Sequence, residues 1–249
     1  PRAMLNYGLI IENKEESIKY FKMAADNGCE DAMYKYSEII GENDKNESYK
    51  YLMMSSISGF KPISYIILSK PKEEVFIYSK MAAETGNVNA IYKYADMLYW
   101  GDGTDINYEE SAKYMKMAAD KGYAKAMNDY AKMLQNGEGV PKNIEESNMY
   151  TKMAADNGDL NAMLNYALFT NNNEEAAHYL KKSADLGNTY SMYLYASKLQ
   201  NGENIEMNKP EALKYYKKAG LKGDKLSLYE YAMMLKNGDG VEKDLKEAL

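Results

Sequence analysis

The sequence contains a single histidine, a single cysteine and no long hydrophobic run. A Cys–His nucleophile pair requires the two side chains to meet, yet Cys29 and His178 lie in distant parts of the chain. One cysteine cannot form an internal disulfide, and the two residues do not have the spacing of a zinc site. We therefore expect no catalytic residue, no cofactor and no metal site in this chain.

Membrane and nucleic-acid binding are also disfavoured. The apolar runs are short, as in YAMML at 231–235, whereas a membrane-spanning helix needs about 20 apolar residues. The 31 Lys and Arg residues are interleaved with 37 Asp and Glu residues, and the net charge of −6 does not suit a phosphate-binding surface. We expect neither membrane insertion of this segment nor nucleic-acid binding.

The cellular compartment and the oligomeric state are largely undetermined. The lone cysteine slightly favours the cytoplasm. The chain begins PRAML and stops at DLKEAL within a repeat, so we interpret it as a piece of a longer protein, for which a lumenal location stays open.

Repetition is what the sequence has in abundance. The phrase KMAADKGYAKAM at 116–127 has close copies at 22–33, 80–91 and 152–163. A glycine follows the AAD-like segment of each repeat, and a small or aliphatic landmark residue comes four residues after each of these glycines, with Ala3 opening the series of landmarks. The glycines are Gly28, Gly59, Gly86, Gly122, Gly158, Gly187 and Gly223, and the landmarks are Ala3, Ala32, Ile63, Ala90, Ala126, Ala162, Ser191 and Ser227. The distance from one of these glycines to the next is typical of the repeat length of stacked helical repeats.

Each repeat is predicted to form two amphipathic helices. Helix A starts at the landmark and has apolar or small residues at positions 0, 1, 4, 5 and 8 after it, which form one helix face. Helix B has acidic residues in its first turn and ends at the glycine, the usual left-handed position after a helix. Four repeats carry an additional loop such as GEGVPKN, in which the glycines serve the loop geometry because calcium- and phosphate-loop residues are missing.

These features resemble the Sel-one-like repeat family, a group of tetratricopeptide-like solenoids. The best-matching repeat contains Ala126, Tyr130, Ala131, Leu134, Gly137, Gly139, Val140, Ser147, Tyr150, Ala154, Ala155 and Gly158. The resemblance implies an all-α fold, a right-handed superhelical solenoid of stacked antiparallel helix pairs with about seven full repeats and a truncated one. The repeats are expected at approximately 1–28, 29–59, 60–86, 87–122, 123–158, 159–187, 188–223 and 224–249 (partial), all in one array.

The poorest match is the repeat that contains Pro62 and Pro71, and we expect a local change in superhelical path there, either a bend or a binding feature. Most of the 18 methionines are expected to fill the core. They include Met33, Met127, Met163 and Met192 in helix A, and Met23, Met81, Met117 and Met153 in helix B. The aspartates before the glycines could cap the next helix A. These are Asp26, Asp120, Asp156 and Asp185.

A row of tyrosines two residues after the landmarks does not fit the predicted core face. The family resemblance implies that helix A lines the concave surface, where tyrosines and charged residues are typical of a protein-binding groove. The candidate binding residues are Tyr34, Lys35, Tyr65, Tyr92, Lys93, Asp96, Asp129, Lys132, Tyr193, Tyr229 and Glu230. The alternative is that these tyrosines pack against helix A of the neighbouring repeat.

Two functions are consistent with this pattern. The first is a non-enzymatic scaffold or adaptor that binds a protein or peptide on the concave helix A face. The alternative is a regulatory or targeting repeat region of a larger enzyme or quality-control complex, with the catalytic part outside this chain.

Overall fold

The repeated phrases of the sequence fold into pairs of helices. A computed structural model describes residues 1–41, 43–60 and 70–248, and this part of the chain contains 14 α-helices and no strand, which confirms the predicted all-α class. The helices are α1 (Arg2–Ile10), α2 (Lys14–Asp26), α3 (Glu30–Ile40), α4 (Lys45–Ile57), α5 (Lys72–Glu84), α6 (Val88–Trp100), α7 (Tyr108–Asp120), α8 (Ala124–Asn136), α9 (Ile144–Asp156), α10 (Leu160–Phe169), α11 (Asn173–Asp185), α12 (Thr189–Asn201), α13 (Lys209–Leu221) and α14 (Lys225–Asn237).

The chain forms two compact units, Pro1–Ser147 and Asn148–Leu249. In the first unit each helix from α1 to α8 packs against the next one, and the same holds from α10 to α14 in the second unit. Helices α1, α3, α6, α8, α10, α12 and α14 are the predicted A helices, and the others are B helices. The helix A predicted between α4 and α5 falls on residues 61–69, so Tyr65 and the expected change of path near Pro62 lie outside the described residues.

Five of the B helices, α2, α7, α9, α11 and α13, begin with an asparagine that caps the first turn, whereas α4 is capped by Asp44 and α5 follows Pro71 without a side-chain cap. In α7 the side-chain oxygen of Asn107 accepts a hydrogen bond from the backbone N–H of Glu110 at 3.0 Å. Asn208 accepts the same bond from Glu211 at the start of α13, again at 3.0 Å. Such a cap stabilises a helix by about 1 kcal/mol because it satisfies an otherwise unpaired N–H group. The predicted first-turn acids, Glu110 and Glu211 among them, are therefore in place.

A left-handed glycine ends helix B as predicted. Gly122 has φ +90°, and its N–H bonds to the carbonyl of Ala119 at 2.9 Å, while the N–H of Tyr123 bonds to the carbonyl of Ala118 at 3.1 Å. This pair of bonds is the Schellman motif, which satisfies the last carbonyls of a helix. The turn between helix B and the next helix A is thus fixed by local sequence.

The predicted core face of helix A is also confirmed. In α8 the five positions of that face are all buried, namely Ala126, Met127, Tyr130, Ala131 and Leu134. The small residue at position 5 meets a serine of helix B: the hydroxyl of Ser147 donates to the carbonyl of Ala131 at 2.7 Å, and Ser111 donates to Ala95 at 2.7 Å. A larger side chain on helix A would separate the two helices and break this contact.

The prediction for the methionines is only half right. Met33 and Met163 of helix A are fully buried, as expected. Met117 of helix B is 39% exposed, and its counterparts Met23 and Met153 are exposed to a similar degree. Residues adjacent in a helix point about 100° apart. Because the two alanines that follow each of these methionines occupy the buried face, the methionine itself is turned outward.

The aspartates at the end of helix B do not cap the next helix A, so that expectation is wrong. Helix α12, for example, is capped by Asn188, which accepts a hydrogen bond from the N–H of Ser191 at 2.9 Å. Asp185 instead accepts a hydrogen bond at 2.5 Å from the hydroxyl of Tyr215 in the next helix B. The same bond joins Tyr51 to Asp26 and Tyr179 to Asp156, whereas Asp120 pairs with Lys116 of its own helix. Three of these aspartates therefore join successive B helices.

Candidate functional site

The candidate binding residues lie on five A helices. They are Tyr34 and Lys35 on α3, Tyr92, Lys93 and Asp96 on α6, Asp129 and Lys132 on α8, Tyr193 on α12, and Tyr229 and Glu230 on α14. Tyr65 is outside the described residues. The structure brings together three members in the first unit, Asp96, Asp129 and Lys132, and two in the second, Tyr229 and Glu230.

Tyr92 is buried in the seam between two A helices, so its prediction as an exposed groove residue is wrong. Its side chain is 9% exposed, and its ring lies 5.1 Å from that of Tyr123 and 5.0 Å from the ammonium group of Lys125. Its hydroxyl donates to Oδ2 of Asp129 on α8 at 3.0 Å. Burial, together with the negative charge of Asp129, raises the pKa of Tyr92. The alternative reading, packing against the neighbouring repeat's helix A, applies here.

A groove opens beside this seam on the helix A surface. Its volume is about 300 Å³. We call it the Trp100 groove and define it by its lining residues, Asp96, Tyr99, Trp100, Met115, Asp129, Lys132 and Met133. Three of the candidate residues therefore line this groove, whereas Lys93 does not.

The carboxylates of the Trp100 groove have different surroundings. Asp129 accepts the hydroxyl of Tyr92 on one oxygen and the ammonium group of Lys132, at 2.9 Å, on the other. Asp96 accepts a hydrogen bond from the indole N–H of Trp100 at 3.2 Å, and it forms no ion pair with any described residue. The negative charge of Asp129 is thus compensated locally, while that of Asp96 faces the groove with only an indole donor.

The aromatic residues of this groove are absent from the candidate set. Trp100 is 70% exposed, and its ring lies 4.9 Å from the ring of Tyr99. The hydroxyl of Tyr99 donates to Glu138 of the next repeat at 2.7 Å, and this bond, together with burial, raises the pKa of Tyr99 to about 12. The signal that could have identified Trp100 is its uniqueness, since it is the one tryptophan of the sequence and stands at the end of a helix A.

The second unit contains a comparable groove between α12 and α14. Its volume is about 290 Å³. We call it the Tyr229 groove, lined by Gln200, Tyr229, Glu230, Met233, Met234, Asn237 and Asp239. Tyr229 is 59% exposed, and Asp239 pairs with Lys209 at 2.5 Å, which lowers the pKa of Asp239. Tyr193, the other candidate of this unit, lies on α12 with its ring stacked 6.4 Å from that of Tyr190.

The candidates on α3 form a smaller cluster. The ring of Tyr34 stacks on Phe60 at 4.8 Å, and its hydroxyl donates to Glu38 at 2.6 Å. Lys35 pairs with the same carboxylate at 3.1 Å. The Tyr34 bond is the main reason that the pKa of Glu38 is lowered. This cluster is partly exposed but does not line either groove.

The described residues contain no group of three or more His, Cys, Asp or Glu side chains that could hold a metal ion. Burial raises the pKa of the Cys29 thiol, which makes the reactive thiolate less accessible at neutral pH.

Comparison with protein-family models identifies the repeat. The Sel1 repeat matches residues 3–29, 88–123, 124–159, 163–188, 189–224 and 225–249. The chain belongs to the Sel1 repeat family. The matched segments of the Sel1 array leave out residues 30–87, which include the repeat with Pro62 and Pro71. The comparison with curated proteins gave no match.

Solved structures confirm the solenoid fold of the Sel1 array. A Sel1 repeat protein from Oxalobacter formigenes is 21% identical, with a TM-score of 0.68 over 96% of this chain and 76% of that chain. A protective antigen of uropathogenic Escherichia coli with the same repeat fold is 19% identical, with a TM-score of 0.53 over 100% of this chain and 67% of that one. At these identities the similarity establishes the fold alone.

Membership of the Sel1 repeat family indicates the general class of activity. Sel1 repeat proteins commonly act as protein-interaction scaffolds, and their solenoid is typically non-catalytic. Among the described helices of this Sel1 array, none is long and apolar enough to cross a membrane.

Proposed function

We propose that this Sel1 array is a non-catalytic scaffold that binds a protein or peptide on its helix A face, with the Trp100 groove as its main contact in the first unit. The observation that carries this proposal is the exposure of Trp100 at the edge of a concave groove. Tryptophan and tyrosine are enriched among the residues that dominate binding energy at protein interfaces.

The composition of the groove supports a protein partner. Tyr99, Trp100, Met115 and Met133 supply apolar and aromatic surface, while charged side chains stand around them. Protein interfaces have this arrangement, an apolar centre enriched in aromatic residues and methionine with a polar rim.

The Tyr229 groove is proposed as a separate contact site in the second unit. The exposed ring of Tyr229 and the carboxylate of Glu230 both line this groove. Tyr193 is included because its partly exposed ring lies on the neighbouring helix A. A stack of similar repeats offers several such sites to one extended partner.

Selection of peptides from a displayed library on the immobilised array tests the proposal. We expect Trp100→Ala to weaken binding of the selected peptides by about 2 kcal/mol, the usual threshold for an interface hot spot, as measured by calorimetry. The matched control is Ile77→Ala, which removes a similarly exposed apolar side chain, 57% exposed, from a helix B. The proposal fails if both variants bind like the parent, or if Ile77→Ala loses as much affinity as Trp100→Ala.

A further inference from the structure

We propose that the Trp100 groove recognises an arginine side chain of its protein partner. This inference rests on the proposed function, since it names the chemistry that the same groove selects. Two observations support it. Of the two carboxylates in the groove, Asp129 forms an ion pair with a lysine and Asp96 does not, and the indole ring of Trp100 lies beside Asp96.

The groove has one carboxylate in excess. Its charged lining residues are Asp96, Asp129 and Lys132. Lys132 pairs with Asp129 at 2.9 Å, whereas Asp96 forms no ion pair with a described residue. A cationic side chain from a partner would compensate it, whereas an acidic side chain would be repelled.

The ring of Trp100 favours arginine over lysine. The hydrogen bond of 3.2 Å between its indole N–H and Asp96 places a carboxylate directly beside an exposed aromatic ring. A guanidinium group is planar, stacks on aromatic faces and can bond a carboxylate in the same plane. A lysine ammonium group is more strongly hydrated and has no face to stack. The volume of about 300 Å³ lies at the small end of ligand pockets, which suits a single side chain.

The Tyr229 groove repeats this arrangement independently in the second unit. Asp239 is compensated by Lys209 at 2.5 Å and also accepts a hydrogen bond from Gln200 at 3.3 Å. Glu230 forms no ion pair with a described residue, and it lines the groove together with the exposed Tyr229. Each groove therefore combines one compensated carboxylate, one carboxylate in excess and one exposed aromatic ring. We infer that the Tyr229 groove binds a second basic side chain of the same chemistry.

Peptide binding to this groove can be measured by tryptophan fluorescence, because Trp100 is the one tryptophan in the sequence. The probes are three short peptides, acetyl-Gly-Gly-Xaa-Gly-Gly-amide, in which Xaa is arginine, its uncharged analogue citrulline, or glutamate. The arginine peptide should change the emission in a saturable manner. The citrulline peptide should bind at least about threefold more weakly, a difference that lies within the interaction free energies of partly exposed ion pairs. The glutamate peptide should bind more weakly still.

Asp96→Asn removes the negative charge and retains the hydrogen bond, since the amide oxygen can still accept from the indole N–H of Trp100. We expect this variant to weaken the arginine peptide about three- to tenfold and to remove its preference over citrulline. The matched control is Asp105→Asn, which removes an exposed acid from the loop of the same repeat. Equal binding of the arginine and citrulline peptides, an equal loss in Asp105→Asn, or no emission change with any peptide would overturn the inference.

The failure of this inference is distinguishable from failure of the proposed function. Library-selected peptides that depend on Trp100 but bind Asp96→Asn and the parent equally would leave the scaffold function standing and refute arginine recognition. Selected peptides that ignore Trp100→Ala would refute the proposed function itself.

Discussion

The hydroxyl of Tyr92 donates a hydrogen bond of 3.0 Å to Asp129, and this bond joins helix A of one repeat to helix A of the next. Tyr92→Phe retains the ring and removes the bond, so the acceptor loses a partner in a mostly buried seam. We expect the free energy of unfolding to fall by about 1.5–3 kcal/mol, as is typical for hydrogen bonds to charged groups. Urea unfolding followed by circular dichroism measures this. Tyr229→Phe, whose ring is exposed, should change it by less than about 0.5 kcal/mol. Equal effects would contradict a structural role for the bond.

Two glycines with left-handed backbones should respond differently to alanine. A Cβ atom at Gly122, φ +90°, would meet nothing within 4 Å, so Gly122→Ala should cost only the backbone strain of about 1–2 kcal/mol. A Cβ atom at Gly139, φ +70°, would overlap the carbonyl oxygen of Tyr108 at the start of the preceding helix B. Since the overlap requires backbone movement, Gly139→Ala should cost at least about 2 kcal/mol more. Thermal unfolding of the two variants measures the difference, and the reverse order would refute the close approach of loop and helix.

Alkaline pH should destabilise the array through the tyrosines that join successive B helices. Burial and the hydrogen bond to Asp26 raise the pKa of Tyr51 from 10.0 to about 12. Burial and the hydrogen bond to Asp156 raise the pKa of Tyr179 to about 12 as well. The neutral phenol is favoured in the folded state, so this contribution to stability is complete below pH 10 and is lost as the pH rises towards 12.

Urea midpoints at about pH 8 and about pH 11 test this dependence, because the interval spans the ordinary tyrosine pKa. The variant Tyr51→Phe with Tyr179→Phe should lose part of the decrease between the two pH values. Tyr190→Phe, which changes a 52% exposed ring, should retain it in full. A decrease that is identical in all three proteins would show that these hydrogen bonds do not govern the alkaline response.

Ala154 tests the tight packing of helix B. It is fully buried, and the neighbouring Met153 is 37% exposed. Ala154→Leu adds volume where no space exists and should lower the free energy of unfolding by about 1–3 kcal/mol. Met153→Leu, which exchanges side chains of similar volume on the exposed side of the same helix, should change it by less than about 0.5 kcal/mol. Guanidinium unfolding measures both, and a neutral Ala154→Leu would mean that the alanine face is not close-packed.

Local features of the fold follow from the sequence because they depend on nearby residues. The buried face of α8 and the Schellman turn at Gly122 match the predicted positions. A helical period of 3.6 residues and the left-handed conformation of glycine are sufficient to predict both. The same helical period predicts that Met117 points outward, since the buried alanines next to it define the buried face of helix B.

The candidate site depends on neighbours that are distant in the sequence. Tyr92 and Tyr229 stand at the same position of their repeats, yet one is 9% exposed and the other 59%. The ring of Tyr92 is in contact with Tyr123 of the following repeat, and no periodicity within one repeat contains that information.

The sequence by itself determined the repeat, the helices and their buried faces, because 3.6-residue periodicity and glycine turns act within one repeat. The tertiary structure decided which tyrosines lie in seams, and it placed Asp96, Trp100 and Asp129 around one groove. Exposure and charge compensation at these positions arise from side chains that neighbouring helices contribute, and only packing of the folded chain brings those side chains together.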